Sequence, residues 1–131
     1  MIFIDSNIPM YLVGGPHQNK TTVRHLLEHH IVAGDRLVTD VEVFQEILHR
    51  YVAIKRRDAI QPAFDALLGV VDEVFPVDME DVGTAKTIVY GNKQFSARDA
   101  IHLAVMERYS IDRIMTFDRA FDRSGVTKIS E

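Results

Sequence analysis

The chain opens Met1-Ile2-Phe3-Ile4-Asp5-Ser6-Asn7. Ile2, Phe3 and Ile4 make a short unbroken apolar run, the pattern of a parallel strand covered on both faces. The run stops at an acid, and Ser6 and Asn7 follow as good helix N-caps with Pro9 just inside the expected helix. Asp5 therefore falls at the carboxyl end of a central strand, the edge where open α/β sheets build their sites. On this stretch alone, an acid that merely helps the turn is an equally open account.

A second stretch repeats the pattern near the other end. Arg113-Ile114-Met115-Thr116-Phe117-Asp118 again runs from an apolar strand into an acid, and Arg119-Ala120-Phe121-Asp122 follows. Two strands ending in carboxylates at one edge of one sheet bring Asp5 and Asp118 together. Like charges held close are costly unless they are protonated, paired with cations or bound to metal.

With 131 residues, one domain spanning 1–131 is expected, large enough for a single core. A hydrophobic content of 47% and a charged content of 26% belong to an ordinary globular chain. No apolar run approaches the roughly 18 residues of a membrane span, and no charged-then-apolar leader precedes Ile2, so no membrane association and a cytoplasmic location are expected. The absence of cysteine excludes disulfides and thiolate metal sites. Any metal must bind carboxylate, imidazole or carbonyl groups, and 19 acids against 6 histidines favour hard ions such as Mg²⁺ or Mn²⁺. The net charge of −4 argues against a general nucleic-acid coat but not against an enzyme acting on RNA.

Taken in order, residues 8–13 predict a short helix closed by Gly14-Gly15-Pro16, and His17-Gln18-Asn19 a loop. Thr21 or Thr22 would cap a helix through Ala33, and Leu37-Val38 would form a second strand. Thr39-Asp40 would cap a long helix from Val41 to about Arg56, with Val41, Phe44, Leu48, Tyr51 and Val52 on a broad core face flanked by Val43 and Ile47. On that helix Glu46 lies off the centre of the apolar face, and pairing with Arg50 at i,i+4 is the ordinary structural account. Arg50, Lys55, Arg56 and Arg57 are either cations offsetting the helix dipole or contacts for phosphate, with Arg98 a further candidate contact. Residues 59–71 predict a helix, 73–77 a strand, and 78–90 a helix capped by Asp78. Ser96 through Tyr109 predicts a compact helix in which Ser96 and Asp99 have capping-box spacing, His102 shares a side with Asp99, and Ala97, Ala100 and Ala104 permit close packing onto the sheet. Ile114-Met115 and Val126–Ile129 complete a set of four to five strands alternating with helices, which implies a three-layer α/β/α fold around a mostly parallel sheet.

Asp5, Glu46, Asp99 and Asp118 are thus candidate ligands of an octahedral divalent ion, with Asp122 and Glu42 less central. In order, Ile-Asp-Ser-Asn at 4–7, Thr39 through Glu46, Ser-Ala-Arg-Asp-Ala-Ile-His-Leu-Ala at 96–104 and Thr-Phe-Asp-Arg-Ala-Phe at 116–121 resemble the motifs of the PIN-domain ribonucleases, within them the VapC-type toxins of toxin–antitoxin pairs. The resemblance spans nearly the whole chain. It implies that Asp5, Glu46, Asp99 and Asp118 are the metal-binding and catalytic acids, that Ser6, Asn7 and Thr116 support them, and that the cofactor is Mg²⁺ or Mn²⁺. Asp122 is an additional acid outside the family pattern, either supporting the site or serving a turn, and Glu42 is left on the surface. The resemblance further implies hydrolysis of RNA, a cognate antitoxin and a homodimer. Two competitors remain: a non-catalytic acidic module binding a basic partner, and a receiver-like phosphotransfer domain. The receiver needs a lysine near the end of the last strand, and Lys128 comes too late.

Overall fold

The computed structural model describes residues 1–131. Its five strands, β1 (Ile2–Ile4), β2 (Leu37–Asp40), β3 (Glu73–Phe75), β4 (Arg113–Met115) and β5 (Thr127–Ile129), form one sheet in the order β3-β2-β1-β4-β5. Every neighbouring pair is parallel. The helices are α1 (Asn7–Val13), α2 (Gln18–Val32), α3 (Val41–Ala53), α4 (Ile60–Val70), α5 (Met79–Gly91) and α6 (Ala97–Arg108). No helix is long and apolar enough to cross a membrane.

Burial explains why β1 lies in the middle. Ile2, Phe3 and Ile4 are wholly buried and belong to a 23-residue core with Val38, Ile114 and Met115 of the flanking strands. The chain steps from β1 outward to β2 and β3, then returns across the sheet to β4 on the other side of β1. Parallel crossovers are right-handed, so outward and return steps put their helices on opposite faces of the sheet. The reversal falls between β1 and β4, and the crevice at the carboxyl ends of those two strands is where such folds bind ligands. Register brings Ile4 opposite Met115, so Asp5 emerges beside Thr116.

Several boundaries differ from the sequence expectation for local reasons. Helix α2 begins at Gln18, not beyond Thr21, because the His17 ring accepts the Asn19 amide at 3.0 Å and acts as N-cap. Helix α3 ends at Ala53 instead of near Arg56: Lys55 takes the left-handed conformation (φ 58°), which ends a helix. The buried face of α3 also differs. Val43, Ile47 and Tyr51 are buried, whereas Val41, Leu48 and Val52 are exposed. The helix is therefore rotated relative to the apolar centre of its sequence, which turns the Glu46 flank toward the sheet edge.

The alanines of α6 also have a different neighbour. Ala100 and Ala104 pack with Ala85 of α5 in a small cluster of their own, and Ala97 is exposed. Arg108 closes the same helix pair, reaching Asp78 at 2.8 Å and the buried Asp81 at 2.7 Å. Close approach of α5 and α6 leaves no room for a larger side chain, so Ala104→Leu should cost about 1–3 kcal/mol in thermal denaturation. Ala97→Leu should stay within about 0.5 kcal/mol of wild type.

Candidate metal centre

Asp5 leaves β1 almost completely buried, 3% exposed. Its Oδ1 accepts the Ser6 amide at 2.8 Å and its Oδ2 accepts the Thr116 hydroxyl at 2.7 Å. Thr116 Oγ1 in turn accepts the Asn7 side-chain amide and the Asp118 backbone amide, both at 3.0 Å. Asn7 Oδ1 accepts the Phe117 amide at 3.3 Å. This web ties the end of β1 to the end of β4 and fixes the Asp5 carboxylate. Ser6 contributes to it through its main chain.

Glu46 comes from α3 and is partly exposed. No ion pair joins it to Arg50. Its Oε1 lies instead 3.6 Å from Nε2 of His102 on α6, and the same Nε2 lies 3.8 Å from Asp5 Oδ1. His102 is wholly buried, against the Phe3 ring, and its Nδ1 is 2.8 Å from Asp40 Oδ2. Asp40 has two tasks, because its Oδ1 also accepts the Val43 amide and caps α3. Ligand atoms of Asp5, Glu46 and His102 all fall within 4.8 Å of one another.

The other two candidate acids sit at helix starts. Asp99 is buried and forms a reciprocal capping box with Ser96, at 3.1 and 3.2 Å. Asp118 accepts the Ala120 amide at 2.9 Å at the head of a short 3₁₀ turn. Burial raises the Asp99 carboxyl, and the nearby Asp118 charge adds to the rise. Asp122 points elsewhere: it is exposed and paired with Lys128 at 2.8 Å. Glu42 is more than a surface residue. It is partly buried 3.7 Å from Arg98, and burial raises its carboxyl.

Burial lifts the Asp5 carboxyl to about 6, partly opposed by His102 and reinforced by Glu46. For Glu46 burial acts upward, but the approach of His102 outweighs it and the carboxyl falls below its ordinary value. Burial pulls His102 down, yet Asp40, Glu46 and Asp5 together hold it well above the usual imidazole range. Glu46 Oε1 and His102 Nε2 are also the two buried side-chain polar atoms with no hydrogen-bond partner. Oxygen and nitrogen donors that converge and lack partners suit a divalent cation.

A cleft of about 670 Å³ opens beside this cluster, with Ser6, Asn7 and Glu46 at one side and Arg50 and Arg98 on its walls. Lys55 and Arg56 do not line it, and Arg56 is paired with Asp58 at 3.1 Å. The sequence singles out the acids but assigns no role to His102 and marks Asp40 only as a cap. One signal for Asp40 was present, since β2 also ends in an acid.

Residues 2–126 match the PIN domain family. The chain belongs to the PIN-domain family. It is 59% identical over 122 residues to Ribonuclease VapC13 of Mycobacterium tuberculosis, covering 93% of each chain. Among solved structures, that of Mycobacterium tuberculosis VapC20, described as a sarcin–ricin loop cleaving toxin, superposes over the full length of both chains with a TM-score of 0.82 at 21% identity. A toxin–antitoxin complex from Klebsiella pneumoniae matches with a TM-score of 0.67 at 16% identity, over 94% of this chain and 92% of that one.

Proposed function

We propose that this PIN-domain protein is a divalent-metal-dependent endoribonuclease and the toxin half of a toxin–antitoxin pair. The observation that carries the reading is the buried Asp5–Glu46–His102 cluster at the sheet's reversal point, with two converging polar atoms left unpartnered. Asp5, Glu46, Asp99 and Asp118 would hold Mg²⁺ or Mn²⁺. When bound, such an ion supplies positive charge to a phosphodiester and lowers the pKa of a water.

The chain's own residues do the remaining work. Ser6, Asn7 and Thr116 hold Asp5 and the Asp118 backbone rigid, so little reorganisation is needed when substrate binds. Glu46, at the rim of the cluster, would orient the attacking water toward phosphorus. Arg50 and Arg98 on the cleft wall would meet flanking phosphates of a single-stranded or looped RNA, the contact that a chain of net charge −4 needs locally. Lys55 and Arg56, farther out, would add longer-range attraction at most.

Apolar exposure supports the protein partners of this reading. Leu48, Val52 and Ile54 lie exposed at the end of α3 and just beyond it, a surface for an antitoxin, and Met79, Val82 and Tyr90 lie exposed along α5, a surface for a second copy in a homodimer. A cytoplasmic location completes the proposal.

Incubating purified protein with mixed RNA under Mg²⁺, Mn²⁺ or EDTA tests it. Cleavage is expected with either ion and none with EDTA. An intact RNA pool under all three conditions, with binding to a basic peptide retained, would favour the non-catalytic acidic module instead.

A further inference from the structure

The centre contains one group that a purely carboxylate site does not need. His102 is fully buried, held at Nδ1 by Asp40, and presents Nε2 into the gap between Asp5 Oδ1 and Glu46 Oε1. We propose that His102 Nε2 is itself a metal ligand, so that an Asp40–His102–metal triad makes this a mixed nitrogen–oxygen centre selective for Mn²⁺ over Mg²⁺.

Spacing separates the possible occupants of the gap. A direct hydrogen bond needs about 2.9 Å between heavy atoms, and a water bonded to two groups at tetrahedral angles holds them roughly 4.5 Å apart. Donors about 2.1–2.2 Å from a common ion lie roughly 3–3.6 Å apart. The observed 3.6 and 3.8 Å are too long for the first, too short for the second and within a slight contraction of the third. The polarity agrees. Asp40 holds the ring at Nδ1 and can accept its proton, so a cation that displaces the Nε2 proton meets a lone pair aimed into the gap, the arrangement by which carboxylates orient metal-bound imidazoles. An ion entering the gap takes the place of any proton on Nε2. Imidazole nitrogen suits Mn²⁺ and later ions better than Mg²⁺, which prefers oxygen and retains its waters.

This inference rests on the acid-centred reading above, and the experiment separates the two. With one equivalent of Mn²⁺ on the intact protein, electron spin-echo envelope modulation should show ¹⁴N coupling. His102→Gln should remove the coupling and weaken Mn²⁺ binding by about tenfold or more in calorimetry, while Mg²⁺ binding changes by less than about threefold. Asp40→Asn is the second variant. Its amide keeps the volume and the cap but donates to Nδ1, forces the proton onto Nε2, and should abolish the coupling as well. Absence of ¹⁴N coupling in wild type, or its persistence in folded His102→Gln, would overturn the ligand role while leaving the acids in place. Asp5→Asn that binds Mn²⁺ like wild type would overturn the acid-centred reading instead.

Discussion

Asp5→Asn is expected to lose at least a thousandfold of RNA cleavage, on the order of 4 kcal/mol of transition-state stabilisation, while melting in EDTA no lower than wild type. The two effects have one cause. Burial lifts the Asp5 carboxyl from 3.8 to about 6, so the fold disfavours the ionised form by on the order of 3 kcal/mol. Stability contributed by protonated Asp5 is complete below about pH 4 and lost as pH rises through about 6. Asn is neutral throughout, so the variant should gain on wild type across that window and keep the advantage above it. His102 trims the gain, because it loses one of its three carboxylate neighbours. Melting curves in EDTA from pH 4 to 8 measure the difference. A variant below wild type at every pH would mean that Asp5 matters chiefly through its bonds to Ser6 and Thr116.

The second large effect is expected at Glu46. Glu46→Gln should reduce cleavage by a hundredfold or more under saturating Mn²⁺, on the order of 3 kcal/mol. Sequence reasoning alone makes this substitution silent in stability, since Gln relieves repulsion among acids. The position of His102, 3.6 Å away, changes that expectation. The lowered Glu46 carboxyl contributes stability that is present above its unfolded value and lost as pH falls through the folded one. Glu46→Gln should therefore cost about 1 kcal/mol at neutral pH and less in acid. Glu42→Gln, one turn earlier, removes a carboxylate that pairs with Arg98 at 3.7 Å and is not among the converging ligand atoms, and should keep cleavage within a few-fold. Equal rates for both variants and wild type would remove Glu46 from the machinery.

The parts of this site legible in the sequence are those coded locally. An apolar run followed by an acid places Asp5 directly after β1 and Asp118 three residues after β4, and Ser-x-x-Asp spacing reveals the capping box at Asp99. The buried face of α3 is set by docking: Val41, Leu48 and Val52 are as apolar as Val43 and Ile47 but do not reach the core. Periodicity therefore places Glu46 near the surface, whereas packing turns it toward His102. The Asp40–His102 pair was illegible for a different reason. Its members are 62 residues apart and meet only because β2 adjoins β1 and α6 docks over both. Lys55 ended α3 early through a backbone conformation that composition does not announce.

The web around Thr116 joins segments far apart in the sequence, since the Thr116–Asp5 bond spans 111 positions. During synthesis β1 is made well before its neighbour β4. Until then Asp5 lacks the hydroxyl that orients it, Asp118 does not exist, and the apolar edge of β1 has no partner on that side. Such distant pairing forms late in folding. The candidate centre is therefore assembled late, only once the chain has been made through Asp118 and β4 has paired with β1.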